Sequence, residues 1–256
     1  MSAGGRRHFG PGTLAALVVA NMIGAGVFTT SGFALADLGS PGRVLAAWVA
    51  GGVIAICGAI GYGALARRLT ESGGEYLFLS RVLHPAAGFV AGWISLVAGF
   101  TGAIAFAAHA FESYVRPTDS TVPANLIAIT AVALCAGAHG VRARPGALSQ
   151  NFVVALKLLA LVAFLGAAVL AWMRRGGDWV APATDLAPLS VSAFAGSLVW
   201  ISLSYSGFNA AVYVAGEARD GARTVPAALL RATFVVTALY LALNAVFVGF
   251  APHAEV

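Results

Sequence analysis

Charge is what this sequence has least of. Only 10% of its 256 residues are Asp, Glu, Lys or Arg, whereas 59% are hydrophobic. A soluble domain carries about 25% charged residues, so a water-soluble globule is excluded and the chain reads as an all-α integral membrane protein. Lysine is scarcer still: Lys157 is the only one, and every other basic residue is arginine. There are two cysteines, Cys57 and Cys135. Both lie in apolar runs without metal-ligand spacing and read as small buried hydrophobes, so neither a metal nor a cofactor is expected. In so apolar a chain the net charge of +5 is not a sign of nucleic acid, and no such partner is expected. A nucleotide-binding loop is excluded as well, because Gly24-x-Gly26 has no preceding strand and no third glycine. An enzyme is therefore not expected.

What the chain has in abundance is long apolar segments. Seven run over residues 13–35, 43–66, 86–114, 122–139, 147–172, 190–215 and 227–250, and a bilayer needs about 20 residues per helix. The separators are turn and breaker clusters: Gly39-Ser40-Pro41-Gly42, His84-Pro85, Arg116-Pro117, Arg144-Pro145-Gly146, Arg175-Gly176-Gly177 and Val225-Pro226. Arginine sets the orientation. With residues 1–12 in the cytoplasm, ten arginines fall on inner segments (residues 6, 7, 67, 68, 81, 142, 144, 219, 223, 231) and four on outer ones (43, 116, 174, 175). The positive-inside rule therefore expects a cytoplasmic N-terminus in a cell membrane, plasma or inner. Arg6-Arg7-His8-Phe9 has the look of a twin-arginine export signal, but positive charge ahead of a span that starts inside is the simpler account.

Two spans carry helix-weakening residues at their centres. In the first, Gly24 and Gly26 interrupt the apolar run, each costing about 1 kcal/mol relative to Ala in a helix interior. A break at membrane depth must face a cavity or a ligand, because hydrocarbon cannot satisfy the freed backbone groups. A half-helix starting near Gly26 would aim its positive end at a carboxylate. The sixth span reads Trp200-Ile201-Ser202-Leu203-Ser204-Tyr205-Ser206-Gly207-Phe208-Asn209, again rich in poor helix formers. There the carbonyls of Leu203 and Ser204 would be released for an ammonium group. Two interrupted spans of opposite direction, five spans apart, mark an inverted-repeat transporter with its site at the breaks. Together the breaks would hold both ends of an α-amino acid by backbone alone.

Lys157 sits about ten residues into the fifth span, roughly 15 Å deep at 1.5 Å per residue. An intramembrane lysine usually carries function, and its side chain is too short to reach the interface from there. Two weaker features read as structural. Ser72 and Glu75 have capping-box spacing and predict an ordinary capped helix at the cytoplasmic face. His109 and Glu112 share a helix face and read as an interfacial polar pair.

The motifs in order resemble one family, the amino acid–polyamine–organocation (APC) superfamily. They are Met22-Ile23-Gly24-Ala25-Gly26-Val27-Phe28; Ser72-Gly73-Gly74-Glu75-Tyr76 with His84-Pro85, Gly88-Phe89 and Gly92-Trp93; Gly140-Val141-Arg142 with Gln150-Asn151-Phe152 and Lys157-Leu158-Leu159; and Ser204-Tyr205-Ser206-Gly207-Phe208-Asn209 with Gly216-Glu217 and Pro226. The resemblance implies a LeuT-type five-plus-five inverted repeat. Residues 13–172 would form the first repeat (TM1–TM5) and 190–250 the start of the second (TM6–TM7). It implies a substrate carboxylate on the amides of Ile23, Gly24, Ala25 and Gly26. It implies a substrate amino group held along Leu203, Ser204, Tyr205, Ser206 and Gly207. Lys157 matches the lysine that replaces a sodium ion in sodium-independent members, which implies proton coupling. Amino acids, protons and lipid are the partners so implied. The fold takes ten helices and seven are present, so the chain is expected to be a fragment of a longer transporter, truncated after the seventh helix, or to need a second subunit. A non-transporting, partner-dependent subunit is the alternative reading. A seven-helix retinal protein matches in span number only, since its lysine lies on the last helix.

Overall fold

The computed structural model describes residues 9–117, 121–141, 143–174 and 188–250. These are almost wholly helical. Among them one parallel bridge, Phe9 to Ala218, ties the start of the described chain to the stretch after the sixth span. Arg6-Arg7-His8, Arg142 and Arg175-Gly176-Gly177 lie outside the described residues.

The first span is two helices. α1 (Pro11–Met22) opens on a proline whose missing N–H would have had no intrahelical acceptor. α2 (Gly26–Leu38) ends at Gly39, in the left-handed conformation at φ 63°. The two halves are bent by 44°. α3 (Pro41–Arg68) follows as one long span. A short helix α4 (Gly74–Val82) lies before the third span. That span is α5 (Pro85–Ile94), a π-helical turn (Ser95–Phe100) and α6 (Thr101–Val115) in one run. α7 (Leu126–Val141) and α8 (Ala143–Arg174) come next. α9 (Val191–Ser204) breaks into a turn and a 3-10 segment, Ala210–Glu217, and α10 (Gly221–Phe250) is last.

Among the described residues four helices are long and apolar enough to cross a membrane, and the bent α1–α2 pair makes a fifth. α7 and α9, with 16 and 14 residues, reach only about 24 and 21 Å at 1.5 Å per residue. The sequence expects full spans at both places. α9 falls short because the chain unwinds after Ser204 and resumes as the 3-10 segment at Ala210.

Three other expectations are corrected. Pro145 and Pro226 do not separate helices; α8 begins at Ala143 and α10 at Gly221, so both prolines sit inside. Pro145 is third in its helix, where an N–H has no intrahelical acceptor. Pro226 gives up one backbone bond near the helix start and packs against Gly63, where a Cβ would stand 3.1 Å from it. Cys57 and Cys135 are exposed rather than buried. An apolar run is no guide to burial here: the buried stripe of α3 passes through Trp48, Gly51, Gly52, Ala55 and Ala59, and Cys57 lies off it. Finally, Glu112 does not pair with His109. It is buried and accepts from the amides of Asn125 (2.9 Å) and Ala128 (3.1 Å), with Arg116 at 3.7 Å. The carboxylate caps the positive end of α7, where the helix dipole favours a negative charge.

The core is built chiefly from α1, α2, α3, α9, the 3-10 segment and α10. At its centre Trp48, Tyr205 and Tyr240 are fully buried, with ring centroids 5.1 to 5.6 Å apart. Glycine permits this closeness: a Cβ on Gly51 would meet Ile201 at 2.7 Å, and one on Gly52 would meet Thr237 at 2.5 Å. Small residues at helix contacts are how spans associate when lipid removes the hydrophobic drive.

Candidate functional site

The break in the first span is short. α1 stops at Met22 and α2 starts at Gly26. A helix end leaves its last carbonyls without intrahelical donors, and here side chains from distant helices supply them. The Lys157 ammonium, on α8, donates to the carbonyl of Ile23 and, at 3.3 Å, to that of Ala20. The Tyr240 hydroxyl, on α10, lies 2.6 Å from the Met22 carbonyl. A cation therefore sits at the negative end of α1, where the helix dipole favours it.

The break in the sixth span is longer and is shaped by its own backbone. Ser206 N–H donates back to Leu203 O (3.0 Å), and Ala210 N–H to Gly207 O (3.0 Å). Gly207 holds φ at 95°, which side chains rarely adopt. A Cβ there would also meet the Asn21 backbone at 2.9 Å. Glycine at 207 thus lets the two breaks touch.

They meet a second time at Gly26. A Cβ at Gly26 would stand 2.6 Å from Ser204 Oγ and 3.2 Å from Ser204 Cα. The Ser204 hydroxyl is 3.1 Å from that of Thr30 on α2. Tyr240 joins both breaks at a third point: besides Met22 O, its hydroxyl lies 3.2 Å from the Ser204 carbonyl. One proton serves both carbonyls, and the nearer receives most of it.

A cavity of about 450 Å³ opens beside this junction. Gly24, Ala25, Gly26, Leu203, Ser204 and Ser206 line it, with Thr30, Trp200 and a face of the third span. A Cβ at Gly24 would find nothing within 4 Å, so that position borders open space. The amides of Gly26 and Val27 head α2, where an N–H has no carbonyl a turn behind it. The wall can therefore offer donors at one break and carbonyl lone pairs at the other.

Not every predicted residue reaches the cavity. The Ile23 amide already donates to Val19 O at 3.1 Å, and its carbonyl is taken by Lys157. Its side chain is buried in the core. Tyr205 is also buried, and its hydroxyl donates to Trp48 O at 3.1 Å. Both are framework residues of the breaks, because each lies on the inner face of its half-helix. Gly207 lines a second cavity, of about 620 Å³, that shares Asn21, Gly99, Ala103 and Ser206 with the first.

The second cavity contains what the sequence hid. A helix does begin after Ser72, but no capping box forms. Its N-cap is Gly73, at φ 147°, with no side-chain bond. Ser72 Oγ instead accepts from Gly216 N–H at 3.0 Å. Glu75 accepts from the hydroxyls of Tyr62 (2.8 Å) and Tyr213 and from the Asn209 amide. Remote donors win over the local cap because the 3-10 segment lies directly on α4: a Cβ on Gly74 would run into the Tyr213 ring. The third span was equally hidden. Its π-helical turn places Ser95 and Gly99 on the cavity walls, and such turns recur at functional sites.

Comparison with known proteins follows the same lines. A family model described as amino acid permease matches residues 9–256. The b(0,+)-type amino acid transporter 1 of Mus musculus is 26% identical over 240 residues, 89% of this chain and 48% of the relative. The Asc-type amino acid transporter 1 of Homo sapiens is 26% identical over 247 residues, 93% and 47%. The large neutral amino acids transporter small subunit 2 of Rattus norvegicus is 26% identical over 254 residues, 95% and 47%. The chain spans about half the length of the curated relatives it matches.

Proposed function

The chain belongs to the amino acid permease family, and from that premise we propose that it takes part in secondary active transport of amino acids or related amines. A permease family places it among multi-pass membrane transporters and not among enzymes. The substrate binds in the cavity between the two breaks. Its carboxylate meets the amides of Gly24, Ala25 and Gly26, and its ammonium meets carbonyl lone pairs from Leu203 to Ser206. The observation that carries this reading is the junction itself: two breaks in apolar spans touch at Gly26, Gly207 and Tyr240 and border one cavity.

The remaining parts of the proposal rest on the ordered motifs, the arginine distribution and Lys157. The chain adopts a LeuT-type arrangement, residues 13–172 forming one repeat and 190–250 opening its inverted counterpart. The N-terminus is cytoplasmic, in a cell membrane. Transport is sodium-independent and proton-linked. Lys157 supports this, because its ammonium fastens α8 to the α1 terminus with charge where an ion would otherwise be needed. Deprotonation would remove the positive charge that strengthens both contacts and so loosen α8 from the break. Work with a partner is a second reading, supported by a relative whose name marks it as a small subunit.

The test has two stages. Binding of a panel of labelled amino acids is measured by scintillation proximity on the protein in lipid nanodiscs. Uptake is then measured in proteoliposomes with imposed pH or sodium gradients. The proposal expects saturable binding, and uptake that follows the proton gradient. Uptake that follows sodium and ignores pH would overturn the coupling; no binding of any amino acid would overturn the site.

A further inference from the structure

We propose that the second, about 620 Å³ cavity is a cation-binding station of its own, with Glu75 as its anion, and that it selects substrates carrying an ammonium group beyond the α-amino group. This rests on the transport reading, which supplies a substrate to the neighbouring cavity.

The argument starts from charge. Glu75 is bonded to three neutral donors, the Tyr62 and Tyr213 hydroxyls and the Asn209 amide. Neutral donors orient a carboxylate and bring no positive charge to it. No Arg, Lys or His among the described residues forms an ion pair with it. Arg81, the basic residue nearest in sequence on α4, pairs with Glu71 at 3.2 Å. Lys157 is committed to the α1 carbonyls. Glu75 is also the one charged side chain among the described residues on this wall. A half-buried carboxylate without a counter-ion, lining a cavity, attracts a cation from solution.

The rest of the wall suits the same ligand. Phe100 and Tyr213 stand edge to face, ring centroids 5.6 Å apart, and both line the cavity. Aromatic faces attract ammonium groups. Asn21 gives one of its two amide N–H groups to Leu17 O at 2.9 Å, and its side-chain oxygen can accept. A carboxylate, an amide oxygen and two rings can together receive a cation. The walls shared with the first cavity, at Asn21, Gly99, Ala103 and Ser206, connect this station to the breaks.

Three probes separate the two cavities: L-norleucine, L-lysine and butylamine. Lysine differs from norleucine chiefly by a terminal ammonium, and butylamine has an ammonium and no carboxylate. Affinities are measured by calorimetry on the protein in nanodiscs. We expect lysine to bind more tightly than norleucine, and butylamine to bind. Glu75→Gln should weaken lysine and butylamine by about tenfold or more, the size of a lost charged hydrogen bond, and leave norleucine unchanged. Gly24→Leu, which fills the first cavity, should abolish norleucine and spare butylamine. Ser95→Lys, which puts an ammonium on the station wall, should displace butylamine. Failure of norleucine to bind the wild type would count against the transport reading alone, provided butylamine still binds through Glu75. If Glu75→Gln weakens all three probes alike together with the melting temperature, the cluster is a structural latch and the station is refuted. Absence of butylamine binding, or an unchanged lysine-to-norleucine ratio in Glu75→Gln, refutes it too.

Discussion

The two breaks solve one problem in opposite ways. In the first span the unwound backbone is held from outside. Lys157 and Tyr240, from helices 134 and 218 residues away, satisfy its carbonyls. In the sixth span the backbone holds itself, with Ser206 and Ala210 amides folding back on Leu203 and Gly207 carbonyls and a positive φ at Gly207. A break fastened from outside can be released by changing a remote side chain. A break folded largely on itself responds mainly to changes in its own chain. The first is thus suited to switching and the second to fixing geometry.

The sharpest way to break this comparison is at Gly207. Gly207→Ala must place a Cβ at φ 95°, which costs about 1–3 kcal/mol in the backbone alone. The same Cβ meets Asn21 at 2.9 Å and forces the breaks apart. The expected outcome is lost amino-acid binding with a clearly lowered melting temperature in detergent. A variant that keeps both would show that the sixth-span break is not set by its own backbone.

Lys157 comes next, as the outside fastener of the first break. Lys157→Ala removes donors from the Ala20 and Ile23 carbonyls, and a hydrogen bond from a charged donor contributes about 1.5–3 kcal/mol. Uptake in proteoliposomes should lose its response to an imposed pH gradient, and total uptake should fall. Lys157→Arg should keep the positive charge yet not restore the pH response, because a guanidinium holds its proton throughout the working range. A full pH response in Lys157→Ala would make the lysine a packing residue.

Tyr240→Phe is the milder version of the same test. It removes one hydroxyl and leaves the Met22 and Ser204 carbonyls short of a donor. A buried group left unsatisfied costs about 1–3 kcal/mol. Thermal unfolding should show that loss, while the stacked trio with Trp48 and Tyr205 is kept. A melting temperature equal to the wild type would mean that another donor takes over.

Sequence made one half of this comparison visible and concealed the other. The glycines at 24 and 26 and the Ser-Gly-Asn cluster around 207 are local departures from an apolar helix, so both breaks are legible in composition. Lys157 is legible as the one lysine, set deep in a span. What fastens the breaks is not, because the partners are remote: Tyr240 reads as one more apolar residue of the last span. Glu75 lies 134 and 138 residues from Asn209 and Tyr213, and no periodicity links them. The Ser72–Glu75 spacing misleads for the same reason. A local pattern names a cap, but tertiary donors arriving from the 3-10 segment bind both side chains first. The side on which a residue falls is hidden too, as Tyr205 and Cys57 illustrate. A uniformly apolar helix carries no stripe to distinguish core from lipid.

Gly24 completes the contrast, and there the expected effect on stability is the smallest. It lies in the first break as Gly207 lies in the sixth, yet its φ is not among the positive ones, and a Cβ would meet nothing within 4 Å. Gly24→Ala should therefore leave the melting temperature nearly unchanged, or raise it by about 0.4–1 kcal/mol of stability through a less flexible unfolded chain. The added methyl borders the first cavity, so any loss should be confined to affinity and should grow with side-chain size from Ala to Leu. Thermal unfolding and amino-acid binding measured together on Gly24→Ala, Gly24→Leu and Gly207→Ala decide the matter. If the two alanine variants destabilise the protein equally, the breaks are held in the same way and the distinction between an outside fastening and a self-folded turn fails. If Gly24→Ala is stable while Gly207→Ala is not, the glycine at 24 is there to leave room for a ligand, and the one at 207 is there to bend the chain.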